Sequence, residues 1–129
     1  MREILFRGQM LYGKKFIEGS LLLMNGKSYI HQGCGDRHDI DFGYSFEEVK
    51  PKTVGQYIGL KDKNGVKIFE NGYLAWEEED PFGQVFASYR EMVSKQSDGL
   101  YILLPSGQSI SKMLSVYSLE FHDNPELTE

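Results

Sequence analysis

Residues 31–41 read HQGCGDRHDID and hold the densest group of side chains that could do chemistry in this chain. The stretch contains two of the three histidines, the single cysteine and three aspartates. Cys and His are zinc ligands, whereas carboxylates suit magnesium or calcium. His31, Cys34 and His38 together with a water molecule would make a catalytic zinc site. The spacing matches no recognised metal motif, so we expect a polar glycine-rich loop without metal or cofactor.

Other catalytic patterns are missing from the sequence. There is no G-x-S-x-G, no phosphate-binding loop, no dinucleotide fingerprint and no H-E-x-x-H. The acidic pairs, such as Glu47-Glu48, are adjacent in sequence. Adjacent side chains on a strand point to opposite faces, which makes such pairs poor catalytic dyads. We therefore expect no enzymatic activity.

Two groups of residues are candidates for binding. Lys61, Lys63 and Lys67 surround one turn and could touch a phosphate backbone. Trp76 precedes the acidic run Glu77-Glu78-Glu79-Asp80. We expect this tryptophan to be partly exposed, and an aromatic ring beside acids suits a protein partner better than nucleic acid.

The charge distribution argues against nucleic acid as the partner. The net charge is −5. Up to Glu70 there are eleven Lys and Arg against nine Asp and Glu, and from Asn71 onward three against ten. Nonspecific DNA binding depends on Lys and Arg that displace counterions, so an acidic chain opposes it.

The strands that must position these residues are bounded by turn-forming residues. Residues 53–70 read TVGQYIGLKDKNGVKIFE, in which an apolar strand-like run leads into Asp62-Lys63-Asn64-Gly65 and a second such run follows. Asn and Gly accept the positive φ that tight hairpin turns require. The stretch predicts a hairpin.

The same stretch resembles the signature of the YopX-like family of phage and prophage proteins. The opening MREILFR resembles the family's N-terminal strand, and the closing FHDNPEL resembles its usual ending. These matches lie at the start, middle and end of the chain, so the resemblance spans all of it. It implies a small cytoplasmic protein of a temperate phage or prophage, with no established activity and no catalytic residues to transfer.

Short strands are predicted along most of the chain. Asn25-Gly26 joins residues 20–24 to residues 27–31 in a two-residue hairpin, and Asn71-Gly72 leads into a strand over residues 73–77. Residues 84–93 predict a strand, with a helix over 89–96 as the alternative. Apolar residues alternate through 114–122, which predicts a half-buried strand. Residues 45–49 form a candidate helix, and Asn124-Pro125-Glu126 predicts a C-terminal helical turn.

Turn signals thus recur every eight to twelve residues or so, which is typical of an antiparallel β-rich domain. We predict a mainly β fold of the β-rich α+β class, built as a small antiparallel barrel or a sandwich. An SH3-like barrel is one alternative for the C-terminal half. The 129 residues suit a single domain, with 1–50 and 51–129 as candidate subdomains. No apolar run approaches the ~20 residues that span a bilayer, and a lone cysteine fits a reducing compartment, so we expect a cytoplasmic location. The resemblance to phage and prophage proteins implies that this is the cytoplasm of a bacterial host.

These observations predict a non-catalytic accessory protein that binds an unknown protein partner or assembles into homo-oligomers. Two alternatives stay open. One is a small β-barrel that binds nucleic acid through Lys61, Lys63 and Lys67. The other is a metal-dependent enzyme that uses His31, Cys34 and His38.

Overall fold

The computed structural model describes residues 4–32 and 46–123. Within these ranges it contains ten β-strands and one α-helix. In chain order they are β1 (Phe6–Gln9), β2 (Phe16–Met24), β3 (Lys27–His31), β4 (Phe46–Val49), β5 (Gly55–Lys61), β6 (Lys67–Phe69), β7 (Tyr73–Glu79), β8 (Val85–Lys95), β9 (Tyr101–Leu104), α1 (Ile110–Val116) and β10 (Glu120–His122), with a 3-10 turn at Pro51–Thr53. No helix in the described ranges is long and apolar enough to cross a membrane.

The strands form two antiparallel sheets. One sheet has the order β4-β3-β2-β1-β5-β6 and the other has the order β10-β7-β8-β9. The β-rich α+β prediction is therefore confirmed. The described strands leave both sheets open, so the closed barrel, including an SH3-like barrel in the C-terminal half, is wrong as a description of them.

The chain divides into two compact units, the first extending to Tyr57 and the second beginning at Ile58. In the first unit, β2 and β3 are joined at Asn25-Gly26, whose φ angles of 55° and 75° fit the predicted two-residue hairpin turn. Ile17, Ile30 and Val49 form the buried core of this unit.

The second unit has a larger core. Its buried members come from β5 to β9, from α1 and from the segment before β10: Ile58, Ile68, Leu74, Trp76, Val93, Leu103, Ile110, Met113 and Leu119. The helix contributes Ile110 and Met113, which lie one turn apart and face the same side. Its N-cap is Ser109, whose side chain accepts a hydrogen bond from the Lys112 N–H at 3.4 Å.

Three hairpins of this unit use one kind of turn. Gly65, Gly83 and Gly99 each donate a backbone hydrogen bond to the carbonyl three residues earlier, at 2.9–3.0 Å. Their φ angles are 79°, 82° and 90°. This is a type I turn closed by a left-handed glycine, and it sets a three-residue hairpin loop. The hairpin predicted around Asp62-Lys63-Asn64-Gly65 is therefore confirmed.

Two predicted elements are wrong. Residues 46–49 are not helical, because β4 pairs with β3 from Ser28↔Val49 to His31↔Phe46, and this pairing overrides local helix propensity. Residues 114–122 do not form one strand, because the helix that Ser109 caps runs to Val116 and only Glu120–His122 is extended. Residues 85–95 are a strand throughout, so the helical alternative there fails too. The predicted turn at residues 124–126 lies outside the described ranges.

Candidate functional site

The hairpin of β7 and β8 extends beyond the strands on either side of it. The two strands pair with each other from Tyr73↔Met92 to Glu79↔Val85. The neighbouring strand β10 pairs with residues 73–75 of β7 only, and β9 pairs with residues 92–95 of β8 only. Within the described chain, no strand therefore lies beside the outer edges of residues 76–79 and 85–91. We call residues 76–91 the hairpin arm.

The tip of the hairpin arm is an ordered turn that presents an aromatic ring. The Asp80 Oδ1 atom accepts hydrogen bonds from the N–H groups of Phe82 and Gln84, both at 2.9 Å. The N–H of Gly83 donates to the Asp80 carbonyl at 3.0 Å. The Phe82 side chain is 93% exposed. A large apolar side chain is thus held out into solvent by a turn whose backbone groups are satisfied.

A β-bulge exposes a second ring on the arm. Glu78 pairs with Ala87 and Glu79 pairs with Val85, which leaves Phe86 as an extra residue on β8. Bulges leave one residue without a partner in the ladder and redirect its side chain. Phe86 is 65% exposed. Val85 and Tyr89 on the same strand are also exposed, so the arm carries a group of apolar side chains.

A groove of about 690 Å³ lies along the arm. Its aromatic part is formed by Trp76, whose ring stacks on Tyr89 with centroids 5.3 Å apart and planes at 20°. Tyr117, just after α1, is tilted against Trp76 at 6.3 Å and 41°. Val116 and Phe86 also line the groove. The groove therefore offers the exposed apolar side chains of Phe86, Tyr89 and Val116 beside a strand edge, whereas Trp76 itself is buried behind them.

The groove is acidic. Glu77, Glu78 and Glu79 of β7 line it, and no salt bridge joins them to any cation of the described chain. Its other carboxylate, on Glu120, is already engaged: Lys63 Nζ lies 3.5 Å from Oε2 and His122 Nε2 lies 3.0 Å from Oε1. The uncompensated charge of the groove is negative, which favours a cationic ligand.

The structure brings together two of the four residues predicted to bind. Trp76 and Lys63 both line the groove, whereas Lys61 and Lys67 do not. The expectation that Trp76 is partly exposed is wrong, since it is only 6% exposed and belongs to the core. The cause is its position on β7, where alternation places it on the same face as buried Leu74.

The predicted metal ligands are described only in part. His31 is on β3, and its ring lies 4.9 Å from the ring of Phe46 on β4, centroid to centroid. Cys34 and His38 lie outside the described ranges, so that site stays a prediction. Among the described residues, no three His, Cys, Asp or Glu side chains are grouped closely enough to hold a metal ion.

Sequence reasoning missed the hairpin arm and its exposed rings. The available signal was Phe82 in a turn between the acidic run and the apolar pair Val85-Phe86. What made the arm is the difference in strand length, seven residues in β7 and eleven in β8 against three in β10 and four in β9. Strand lengths depend on long-range pairing, which this signal does not contain.

The structure thus defines a β-rich protein with an exposed apolar hairpin and an acidic groove. A family model described as YopX protein matches residues 5–129, so the chain belongs to the YopX family. The resemblance read from residues 53–70 and from both ends of the sequence is confirmed. No curated protein and no solved structure matches the chain.

Proposed function

We propose that this chain is a non-catalytic protein-binding module of a phage or prophage, working in the cytoplasm of the bacterial host. The observation that carries the proposal is the exposed apolar surface of the hairpin arm, centred on Phe82 and Phe86. Contiguous exposed apolar side chains mark interaction sites, because leaving them in water is unfavourable. Aromatic rings are also the side chains that most often anchor protein interfaces.

The surroundings of the arm fit binding better than catalysis. The glutamates of the groove follow one another along β7, so their side chains alternate between its two faces. An acid–base pair needs two carboxyl groups that converge on one reacting atom. The nucleic-acid alternative is disfavoured, since the groove that contains Lys63 is dominated by glutamates. A phosphate backbone would be repelled there.

The proposal can be tested by capturing partners from host cells with the tagged full-length chain. Phe82→Ser combined with Phe86→Ser removes the two most exposed rings of the arm. Leu23→Ser combined with Met24→Ser is the matched control, because these side chains are also exposed but lie on β2 in the first unit. We expect the same partner to be lost with the first variant and kept with the second. If both variants retain the partner equally, the hairpin arm is not the binding surface.

Self-assembly is a second candidate, favoured by the outer edge of residues 85–91. A strand edge without a neighbour is a template for pairing with another chain, and a two-fold axis would join two such edges. Light scattering on the purified chain tests this candidate. If the chain is a monomer at high micromolar concentration, self-assembly is excluded and binding of a different protein is the remaining candidate.

A further inference from the structure

We infer that the acidic groove binds an extended basic segment of the partner protein, which adds a strand to the outer edge of residues 76–79. The inference rests on the proposed protein-binding function and specifies the chemistry of the partner. It follows from three features that meet in one place: a strand edge without a neighbour, an aromatic surface and uncompensated negative charge.

The strand edge is available because the chain leaves β7 before β10 begins. β10 starts at Glu120, opposite Ala75. The preceding residue, Leu119, directs its carbonyl elsewhere and accepts a hydrogen bond from the Lys63 N–H at 3.0 Å. In the described chain nothing therefore continues the ladder beside residues 76–79. Edges of this kind bind extended peptides through main-chain hydrogen bonds.

The side chains of β7 set the sequence that such a segment should have. Trp76 and Glu78 lie on one face of the strand, and Glu77 and Glu79 lie on the other. Directly opposite residues on neighbouring strands have Cβ atoms ~5 Å apart, so each of these side chains meets one residue of the added strand. The residue opposite Trp76 should be apolar, because it lies on the face where Trp76 is buried and beside the Tyr117 ring that packs against it. Lysine or arginine fits opposite the glutamates.

Charge selects a basic segment over an acidic or neutral one. The three glutamates have no ion-pair partner in the described residues, and the groove's Lys63 and His122 are both held by Glu120. Glu77 and Glu79 lie on the same face of β7, so the repulsion between their carboxylates is relieved when a cation lies between them. The aromatic rings add a favourable surface for a guanidinium or ammonium group. An edge that also repels acidic strands discriminates between partners.

The test uses fluorescence anisotropy with the full-length chain and three labelled decapeptides. The first peptide has six alternating threonine and serine residues, then three lysines and a C-terminal leucine, so that an antiparallel strand places the leucine opposite Trp76 and the lysines opposite residues 77–79 without meeting β10. The second replaces the lysines by glutamates, and the third keeps the lysines but carries N-methyl groups on alternate backbone nitrogens. We expect saturable binding of the first peptide only. No saturation of the first peptide up to about 1 mM, where binding free energy is only ~4 kcal/mol, overturns the inference. Equal binding of the N-methylated peptide overturns strand addition.

Matched variants locate the site. Glu77→Gln combined with Glu79→Gln is expected to weaken the binding of the first peptide by about 3- to 30-fold, as two solvent-exposed ion pairs would. Glu47→Gln combined with Glu48→Gln removes the same charge from β4 in the first unit and should leave the affinity unchanged. Equal weakening by both pairs would mean that the peptide senses net charge and not the groove, which overturns the inference.

The outcomes separate this inference from the proposed function. If the lysine peptide fails to bind but the captured partner still depends on Phe82 and Phe86, the protein-binding function stands and the basic segment is wrong. The lysine peptide could also fail to bind while the chain forms a dimer. If Glu77→Gln combined with Glu79→Gln then changes the dimerisation constant, a second copy of the chain occupies the edge and the basic segment is wrong. Thermal melts of each variant check that the fold is intact.

Discussion

Replacement of Asp62 by alanine is expected to destabilise the second unit more than any other single change in its turns. The Asp62 side chain is only 7% exposed. Its Oδ1 atom accepts hydrogen bonds from the N–H groups of Asn64 at 2.8 Å and Val66 at 2.9 Å. Its Oδ2 atom accepts a third from the N–H of Phe121 in β10, at 2.9 Å. One carboxylate thus closes a hairpin turn and fastens a strand 59 positions away in sequence.

The expected loss follows from the number and type of these bonds. A hydrogen bond to a charged group contributes roughly 1.5–3 kcal/mol to the free energy of unfolding when it is buried, and less when water can replace the partner. Counting all three bonds at the lower end of this range gives about 4.5 kcal/mol of destabilisation for Asp62→Ala. For a domain of this size that corresponds to a fall in Tm of roughly 10–20 °C.

Urea denaturation followed by tryptophan fluorescence measures this loss in the relevant unit. Trp76 is the single tryptophan of the chain, and it lies in the same core as the strands that Asp62 connects. Asp80→Ala is the matched control, because Asp80 closes the same kind of turn with two N–H bonds but accepts no third bond from another strand of the described residues. Its exposed turn should cost about 1 kcal/mol.

The comparison decides whether the third bond and burial carry the effect. If Asp80→Ala costs as much as Asp62→Ala, the turn bonds account for everything and the link to Phe121 is irrelevant. If Asp62→Ala costs less than about 1.5 kcal/mol, water replaces the carboxylate in all three places. Either result refutes the assignment of Asp62 as the residue that joins the turn to β10.

Two further predictions concern the stability cost of replacing glycines, with Lys63 as a control for the first. Gly65→Val should cost about 1–3 kcal/mol in a thermal melt, because Gly65 has φ +79° and the added Cβ meets no atom within 4 Å, so the loss is purely one of backbone strain. Lys63→Ala in the same turn should stay within roughly 0.5 kcal/mol, as exposed ion pairs do, and an equal loss would contradict the strain argument. Gly19→Ala should destabilise the first unit more than Gly13→Ala, since the added Cβ at Gly19 collides with the carbonyl oxygen of His31, whereas Gly13→Ala meets only the backbone strain of its φ of +92°. If Gly19→Ala and Gly13→Ala unfold at the same urea concentration, the predicted collision at Gly19 is contradicted.

The parts of the fold that sequence predicted are those fixed by neighbouring residues. The Asn25-Gly26 turn needs two residues that accept positive φ, and both are present. Gly65 closes its loop at the position where a left-handed residue is required, with a φ of 79°. Such choices leave few alternatives, so strand boundaries around them are read correctly from composition and turn chemistry alone.

The parts that sequence missed depend on residues far apart in the chain. Glu47 and Glu48 favour a helix locally, but β3 supplies a strand partner and they become β4. Trp76 looked like a surface residue because acids follow it, yet its alternation with Leu74 places it in the core. Of the residues that line the groove, Trp76 and Lys63 were binding candidates from the sequence, but in two separate hypotheses, one for a protein partner and one for a phosphate backbone. The bulge at Phe86 required the register of β7 on β8.

The two aspartate turns explain why the binding surface in particular escapes local reading. Asp62 and Asp80 each accept two N–H bonds from the residues two and four positions later, and each loop is closed by a left-handed glycine. The two hairpin turns therefore have the same local hydrogen bonds and the same backbone conformation at the glycine. One is fastened to β10 by the Phe121 N–H, whereas in the described part of the chain no strand lies beside the outer edges of the other and Phe82 is exposed. The difference between a structural turn and a binding arm therefore lies in what the rest of the chain does beside it, and only the three-dimensional structure contains that information.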